Sequence, residues 1–144
     1  MTPVMLDAST IPFARELGIE IVRQSDGCSE LHYAPRAEHG NSMGVVHGGA
    51  IMTLLDISMA AAAMSADPEL GTVTIEMKTS FMRGLKLVPG AVLVGQGKLL
   101  RRTRKLAFVE ARILDADGQI GAHATGTFKY VARSNAPGAH ARAA

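Results

Sequence analysis

The sequence predicts an α+β fold in which a curved antiparallel sheet wraps around one long central helix. Two observations support this prediction. Residues 47–65 form an apolar run of helical length, and four runs in which apolar and polar residues alternate follow it. A helix that is apolar on every side needs a cover on every side. A curved sheet can supply that cover.

The 144-residue length suits one domain. We predict that this domain spans residues 1–132. Residues 133–144 consist largely of Ala, Gly, Pro and Arg without periodicity, and they are predicted to form a disordered C-terminal tail. No internal repeat or linker divides the chain.

A short helix and a hairpin are predicted before the central helix. Ser9 or Thr10 can cap the short helix, Pro12 suits its first turn, and Gly18 can end it. The hairpin turns at residues 25–27, where Ser, Asp and Gly form a turn signal. Apolar residues alternate with polar ones on both sides of this turn: Ile19, Ile21, Leu31 and Tyr33.

Four strands should follow the central helix, at residues 72–77, 91–100, 106–114 and 120–130. In each of three strands, period-2 alternation places one set of residues on a common face: Val73, Ile75 and Met77; Ala107, Val109, Ala111 and Ile113; Ile120, Ala122, Ala124, Phe128 and Tyr130. Small Gly and Ala residues on the strands, among them Gly95 and Gly97, leave room for the helix to sit close to the sheet. This arrangement is called the hotdog fold.

Composition excludes several classes of protein. The net charge of +2 and the lack of a basic stripe with stacking aromatics argue against nucleic-acid binding. The single cysteine, Cys28, excludes an internal disulfide and fits a reducing compartment. With no secretory signal at the N-terminus, a cytoplasmic location is expected. Asp56 within the apolar run favours a buried core helix over a membrane span.

Asp56 is the first candidate catalytic residue. It is the only ionisable side chain between His47 and Asp67. Burial of an unpaired carboxylate is costly, so such a group is paired, protonated or placed in a functional cleft. The pattern alone leaves two readings of similar weight: a structural hydrogen-bonding residue, or a functional carboxylate, which is slightly favoured because perturbed carboxylates concentrate at sites.

A glycine-rich segment at the start of the same helix is the second candidate feature. Residues 44–49 read Gly-Val-Val-His-Gly-Gly. A helix N-terminus offers free N–H groups and the positive end of a dipole, and glycine allows close approach of a ligand. Such a segment can stabilise an oxyanion, although a Gly-Gly pair alone more often marks a plain turn.

The spacing of the two features predicts a dimer. Gly48 and Asp56 are eight residues apart, which is about 12 Å along a helix. Groups that act on one carbonyl must lie within about 3 Å of the reacting atoms. If both act on one substrate, they therefore come from different subunits. An antiparallel pair of these helices predicts an obligate homodimer with two equivalent sites.

Asn41, Gly44, the His47–Gly48–Gly49 triplet and Asp56 together resemble the signature of the PaaI-like branch of the hotdog thioesterases, named for phenylacetic acid degradation. The resemblance runs from residue 34 to residue 130. It implies a hotdog fold, dimers that pair into homotetramers, and acyl- or aryl-coenzyme A thioesters as substrates. It implies no cofactor, because coenzyme A is part of the substrate, and no metal.

The resemblance also implies roles for particular residues. The helix carboxylate, here Asp56, acts as general base or nucleophile, and the backbone N–H of Gly48 polarises the thioester. Asn41 lies near the thioester and the attacking water. Thr74 positions the water or the carboxylate. His47 is an orienting residue that caps or braces the loop, and Gly49 completes the substrate-binding motif.

Basic residues are candidates for contacts with the coenzyme A phosphates: Arg83, Lys86, Arg104 and Lys105. For any one of them, a solvated face is the simpler interpretation. Where the family often has Gly before the equivalent of Arg104, this sequence has Thr103.

The sequence bears on three alternatives to thioester hydrolysis by Asp56 and Gly48. A hotdog enoyl-CoA hydratase needs a His–carboxylate pair, which His47 and Asp56 do not form at helical spacing. A non-catalytic acyl-CoA-binding module has no need of a buried carboxylate. A serine hydrolase is excluded by the absence of a Gly-x-Ser-x-Gly elbow, and the five histidines show no paired metal spacing.

Overall fold

The predicted α+β fold is confirmed. A computed structural model describes residues 6–133, so the predicted tail lies outside the described residues except for its first position. Within this range the chain forms two helices, α1 (Pro12–Leu17) and α2 (Gly48–Ala66), with short 3-10 turns at Ala8–Thr10 and Ala37–His39. The strands are β1 (Glu20–Ser25), β2 (Cys28–Tyr33), β3 (Leu70–Phe81), β4 (Leu93–Arg102), β5 (Leu106–Leu114) and β6 (Ile120–Ala132).

The six strands form one antiparallel sheet in the order β1-β2-β4-β5-β6-β3. Strand β3 follows α2 directly and lies at one edge, so the chain crosses from one side of the sheet to the other through the helix. All six strands contact α2. The core between helix and sheet contains fully buried side chains from both, including Leu54, Leu55, Met59, Ile113 and Phe128.

The sheet approaches α2 most closely at two glycines of β4. A Cβ at Gly97 would collide with the backbone carbonyl of Ser58, and a Cβ at Gly95 would lie 2.5 Å from the Ser58 hydroxyl. Helical backbone cannot move aside as a flexible side chain can. The predicted role of these two glycines as space for the helix is therefore confirmed.

Gly97→Ala is expected to lower the free energy of unfolding by about 3 kcal/mol, because one extra methyl group must displace the helix backbone. Gly71→Ala is the matched control: its Cβ would lie 3.6 Å from Val131 Cγ2, an ordinary contact. This control should change the free energy by less than about 0.5 kcal/mol. Urea denaturation at equal protomer concentration measures both. Equal effects of the two variants would contradict the close approach.

The N-terminal helix begins differently from the prediction. Its N-cap is Ile11, without a side-chain hydrogen bond, so the prediction of a Ser9 or Thr10 cap is wrong. These two residues belong instead to the preceding 3-10 turn, in which Asp7 accepts a hydrogen bond from the Ser9 N–H at 2.9 Å. Pro12 and Gly18 take their predicted places, and Gly18 ends the helix with φ 75°.

The predicted hairpin is confirmed, with β1 and β2 joined by Asp26 and Gly27. Both turn residues have positive φ, 52° and 78°, as two-residue hairpin turns require. The predicted common face of β5 is buried. On β6 the prediction holds from Ala122 onward, but Ile120 is 38% exposed. A register shift between Ile113 and Leu114 turns Ile120 out of the core face.

A β-bulge in β3 corrects the predicted face of that strand. Thr74 pairs with Phe128 and Glu76 with Thr127, which leaves Ile75 as the extra residue. Val73, Ile75 and Met77 therefore do not share a face. Ile75 is 55% exposed, whereas Met77 packs against the core. The bulge allows Thr74, on one side of it, and Met77, on the other, both to face the helix.

Helix α2 is not buried all round within the single chain, contrary to the prediction. Its length and mean hydropathy of 1.5 would allow a membrane span, but 67% of it is buried in the protein, as in a core helix. The sheet covers one side only. On the opposite side a stripe at helical spacing is partly or fully exposed: Gly49, Met52, Thr53, Asp56 and Ala60. We call these residues the open stripe.

Candidate active site

Asp56 lies midway along α2, on the open stripe. The Thr74 hydroxyl donates a hydrogen bond of 2.6 Å to its Oδ1. Burial raises the pKa of the Asp56 carboxyl above its usual value, and the hydrogen bond from Thr74 opposes part of that rise. No cation is paired with this carboxylate among residues 6–133. A partly desolvated, uncompensated carboxylate of this kind is a candidate base or nucleophile.

Thr74→Val is expected to move the acid limb of the plot of kcat/KM against pH to higher pH. The reason is that the Thr74 hydroxyl stabilises the carboxylate form, so its removal raises the pKa of Asp56 further. Thr79→Val is the matched control, because the Thr79 hydroxyl is buried on the same strand without a hydrogen-bond partner in the described part of the chain. The measurement is kcat/KM against pH, and equal profiles for both variants would contradict the assignment.

The N-terminus of α2 presents one free backbone donor. His47 is the N-cap residue, and its Nδ1 accepts the N–H of Gly49 at 2.8 Å. The N–H groups of Ala50 and Ile51 are bonded to the His47 carbonyl. The Gly48 N–H has no hydrogen bond among residues 6–133. The imidazole of His47 therefore acts as a helix cap, as predicted, and leaves the Gly48 amide available to a ligand.

A cleft of about 430 Å³ opens beside this free amide. Its walls come from the loop before α2, the end of β3 and the following turn, and they include Asn41, Gly48, Ile51, Phe81, Arg83 and Leu85. Most of the lining residues are apolar or glycine, and Asn41 and Arg83 contribute polar side chains. This is the usual composition of a site that orients a small molecule.

Asn41 braces the loop that forms one wall of the cleft. Its Oδ1 accepts the N–H groups of Met43 and Val45, at 2.8 and 3.2 Å, and its own N–H donates to the Val45 carbonyl at 2.8 Å. The side-chain oxygen is thus engaged in the loop. Only the amide NH₂ of Asn41 remains to donate a hydrogen bond toward a ligand.

The four basic residues predicted to contact phosphates lie in two groups at opposite ends of the protomer. Arg83 lines the cleft, but its guanidinium donates to Asp115 at 2.6 Å and holds the pKa of that carboxyl below its usual value. Lys86 is exposed, and its backbone bridges that of Val45. Arg104 and Lys105 are exposed in the β4–β5 turn.

The second group lies near the C-terminal end of α2. The Lys105 carbonyl accepts the Tyr130 N–H, and the Tyr130 hydroxyl donates to the Ala63 carbonyl at 2.9 Å. Ala63 and Gly48 are 15 residues apart in the same helix, a separation of about 22 Å. One protomer therefore does not bring the two basic groups to a common site.

Within one protomer, the structure also keeps Asp56 and Gly48 apart. Both belong to the single helix α2, so the separation of about 12 Å expected from the sequence applies. Asp56 is not among the residues that line the cleft at Gly48. No group of three or more potential metal-ligating side chains occurs in the described range 6–133. Sequence reasoning missed Phe81 and Leu85 as cleft residues, since nothing in their local pattern marks them.

Comparisons with known proteins agree with this architecture. Residues 43–122 match the thioesterase superfamily. A protein of Saccharolobus solfataricus, named as a candidate esterase, is 30% identical over 118 residues, which cover 82% of this chain and 81% of that protein. The solved structure of the Escherichia coli PaaI protein, from the phenylacetic acid degradation operon, superposes with a TM-score of 0.78 at 20% identity, covering 85% of this chain and 86% of that one.

A Streptococcus mutans protein solved with bound acetyl-CoA superposes with a TM-score of 0.73 at 22% identity, covering 81% of this chain and 91% of that chain. At these identities, the two solved structures establish the hotdog fold. The superfamily match covers more than half of the chain. This chain belongs to the thioesterase superfamily, whose chemistry is the hydrolysis of thioesters.

Proposed function

We propose that this protein is a PaaI-like thioesterase that hydrolyses acyl- or aryl-coenzyme A to the free acid and CoA. The observation that carries the proposal is a pair of complementary groups on α2. The Asp56 carboxyl has a raised pKa and accepts one hydrogen bond, from the Thr74 hydroxyl. Gly48 offers a free backbone N–H at the N-terminus of the helix. The bound acetyl-CoA of the Streptococcus mutans relative supports coenzyme A thioesters as the substrate class.

In the proposed mechanism, the thioester oxygen accepts the Gly48 N–H. The N–H and the positive end of the α2 dipole stabilise the negative charge that develops on this oxygen. Asp56 either takes a proton from the attacking water or attacks the carbonyl carbon to form an anhydride, which water then hydrolyses. In both routes the C–S bond breaks, and the CoA sulfur leaves as a thiolate that takes up a proton to give the free thiol. In both routes Asp56 must be ionised, and the Thr74 hydrogen bond favours that form and orients the carboxylate.

The catalytic pair is completed by a second copy of the chain. The open stripe leaves Met52 36% exposed beside Asp56, and edge strand β3 exposes Val73 and Ile75. Long apolar edges and faces of this kind favour association. Antiparallel packing of two α2 helices along the open stripe would cover them and bring each Gly48 near the other chain's Asp56. We propose an obligate homodimer with two sites, which pairs further into a homotetramer.

The proposed antiparallel dimer would also place basic residues of both chains near the phosphates of coenzyme A. Antiparallel pairing would bring the β4–β5 turn of one protomer, with Arg104 and Lys105, to the end of the dimer where the other protomer has its Gly48 cleft. Arg83 lines that cleft, and Lys86 pairs through its backbone with Val45, another of the lining residues. Basic residues from both chains would then surround the nucleotide part of CoA, a role that suits lysine and arginine. A cytoplasmic location remains part of this proposal.

Release of free thiol across aryl-, short-chain and medium-chain acyl-CoAs tests the proposal. We expect at least one substrate to be turned over, with hydrolysis dependent on Asp56. Crotonyl-CoA, assayed for loss of the enoyl absorbance, is the control for a hydratase. Tight acyl-CoA binding in calorimetry without thiol release from any substrate would overturn the proposal in favour of a binding module.

A further inference from the structure

Tyr33 and His39 form a buried hydrogen-bonded pair beneath the loop that leads into α2. Tyr33, at the end of β2, has no exposed surface. Its hydroxyl lies within hydrogen-bond distance of His39 Nδ1, at 2.7 Å, and the two rings stack with centroids 5.7 Å apart. The Arg36 N–H donates to the same ring nitrogen at 3.1 Å. A ring nitrogen that accepts a backbone N–H carries no proton, so the ring proton of neutral His39 belongs on Nε2 and the Tyr33 hydroxyl is the donor to Nδ1.

The surroundings keep both members of the pair neutral. Burial lowers the pKa of His39, the charge of Arg36 lowers it further, and Glu38 and Glu16 oppose the shift. Burial raises the pKa of Tyr33 to about 12. Near neutral pH the lone pair on His39 Nδ1 is therefore available, and the Tyr33 hydroxyl keeps its proton.

The pair is connected to the proposed oxyanion donor through two hydrogen-bonded steps. The His39 carbonyl accepts the His47 N–H at 2.8 Å. His47 in turn caps α2 through Nδ1, and the next peptide N–H is that of Gly48. A shift of His39 would thus displace the peptide that carries the catalytic donor, while the Asp56–Thr74 contact would remain.

We propose that the Tyr33–His39 pair is a positioning device that fixes the His47–Gly48 peptide and aims the Gly48 N–H into the cleft. This inference rests on the proposed function, in which that N–H stabilises the developing oxyanion. A misplacement of about 1 Å at a reacting centre can cost about 100-fold in rate. Since the donor acts mainly in the transition state, loosening it should lower kcat and leave KM nearly unchanged.

Tyr33→Phe is expected to lower kcat about 10-fold with KM within about twofold of the wild-type value. Tyr130→Phe is the matched control, because it also removes a buried tyrosine hydroxyl, one that donates to Ala63, about 22 Å along α2 from the Gly48 of its own chain. The control should keep the wild-type kcat while losing stability to a similar degree. Unchanged kcat in Tyr33→Phe, or an equal loss in Tyr130→Phe, would overturn the proposal.

Two further measurements separate positioning from simple folding effects. His39→Asn places an amide oxygen near the position of Nδ1 and should retain most of the wild-type kcat, whereas His39→Leu should match Tyr33→Phe. Amide hydrogen exchange of His47, whose N–H is held by His39, should become faster in Tyr33→Phe and not in Tyr130→Phe. This exchange test does not require activity. If the wild-type protein released no thiol, the proposed function would fail, and His47 exchange would still decide the positioning role.

Discussion

Asp56→Asn is expected to lower kcat for thiol release about 100- to 10,000-fold, the range expected for loss of a positioned base. Asparagine preserves the shape of the side chain, and its oxygen can still accept the Thr74 hydroxyl. It can neither take a proton from water nor form an anhydride. Because substrate binding does not depend on this charge, the affinity for acyl-CoA should stay within a few-fold. Steady-state thiol release and calorimetric titration measure the two effects.

Asp67→Asn is the control for this substitution. Asp67 is the C-cap of the same helix, where it contacts Arg102 at 3.3 Å, and it is not among the residues that line the Gly48 cleft of its own chain. Its loss should leave kcat near the wild-type value, with a modest effect on stability. Wild-type turnover in Asp56→Asn would remove this residue from the mechanism.

Gly48→Pro should lower kcat about 100- to 1,000-fold, the loss typical of removing one oxyanion donor. Proline deletes the backbone N–H and is well tolerated at the first position of a helix, which Gly48 occupies. The preceding residue, His47, has φ −59° and ψ 138°, a conformation that a following proline accepts. The variant thus removes the proposed donor and leaves the helix start intact, which circular dichroism can verify.

Gly48→Ala separates the loss of the N–H from the addition of a side chain. Its Cβ would lie 3.4 Å from the exposed Phe81 ring, which can move. Alanine retains the N–H, so its kcat should stay within a few-fold of the wild-type value. Similar losses in both variants would show that space at the cleft, and not hydrogen bonding, is what position 48 provides.

Mixed dimers of Asp56→Asn and Gly48→Pro chains test whether the two groups come from different protomers. In a mixed dimer, one site receives both substitutions and the other receives neither. Random pairing therefore predicts recovery of about a quarter of the wild-type specific activity. A site contained within one chain would stay inactive in every combination. Each variant refolded alone is the control for activity that arises from the procedure itself.

Much of the candidate site could be located from the sequence because its main groups break a strong local pattern. A carboxylate in an apolar helical run is conspicuous, as is a glycine pair where that run begins. Their separation along one helix follows from helical geometry alone. The sheet can also be predicted from the sequence where the alternation is regular. In β5, for example, every residue that the alternation predicts to face inward is buried.

Other features depend on contacts that no local pattern records. In the sequence, Tyr33 resembles any other apolar residue of a strand, and His39 resembles any other polar residue of a loop. Only the fold brings the Tyr33 hydroxyl within 2.7 Å of His39 Nδ1. Ile11, and not Ser9 or Thr10, is the N-cap of α1, because Ser9 and Thr10 belong to the 3-10 turn that Asp7 caps. The open stripe of α2 could not be anticipated either, because composition shows that a helix is apolar but not which side its own chain covers.

The bulge at Ile75 bears on how β3 tolerates changes in length. Side chains upstream of Ile75 alternate in one phase and those downstream in the opposite phase, and both phases deliver residues to the core. Deleting Ile75 would remove the extra residue and the offset together. Thr74, Glu76 and Met77 would then pair with consecutive residues of β6 in regular alternation, and Thr74 and Met77 would still face α2. Sequence drift in β3 should therefore be able to lose residue 75 without turning Thr74 away from Asp56.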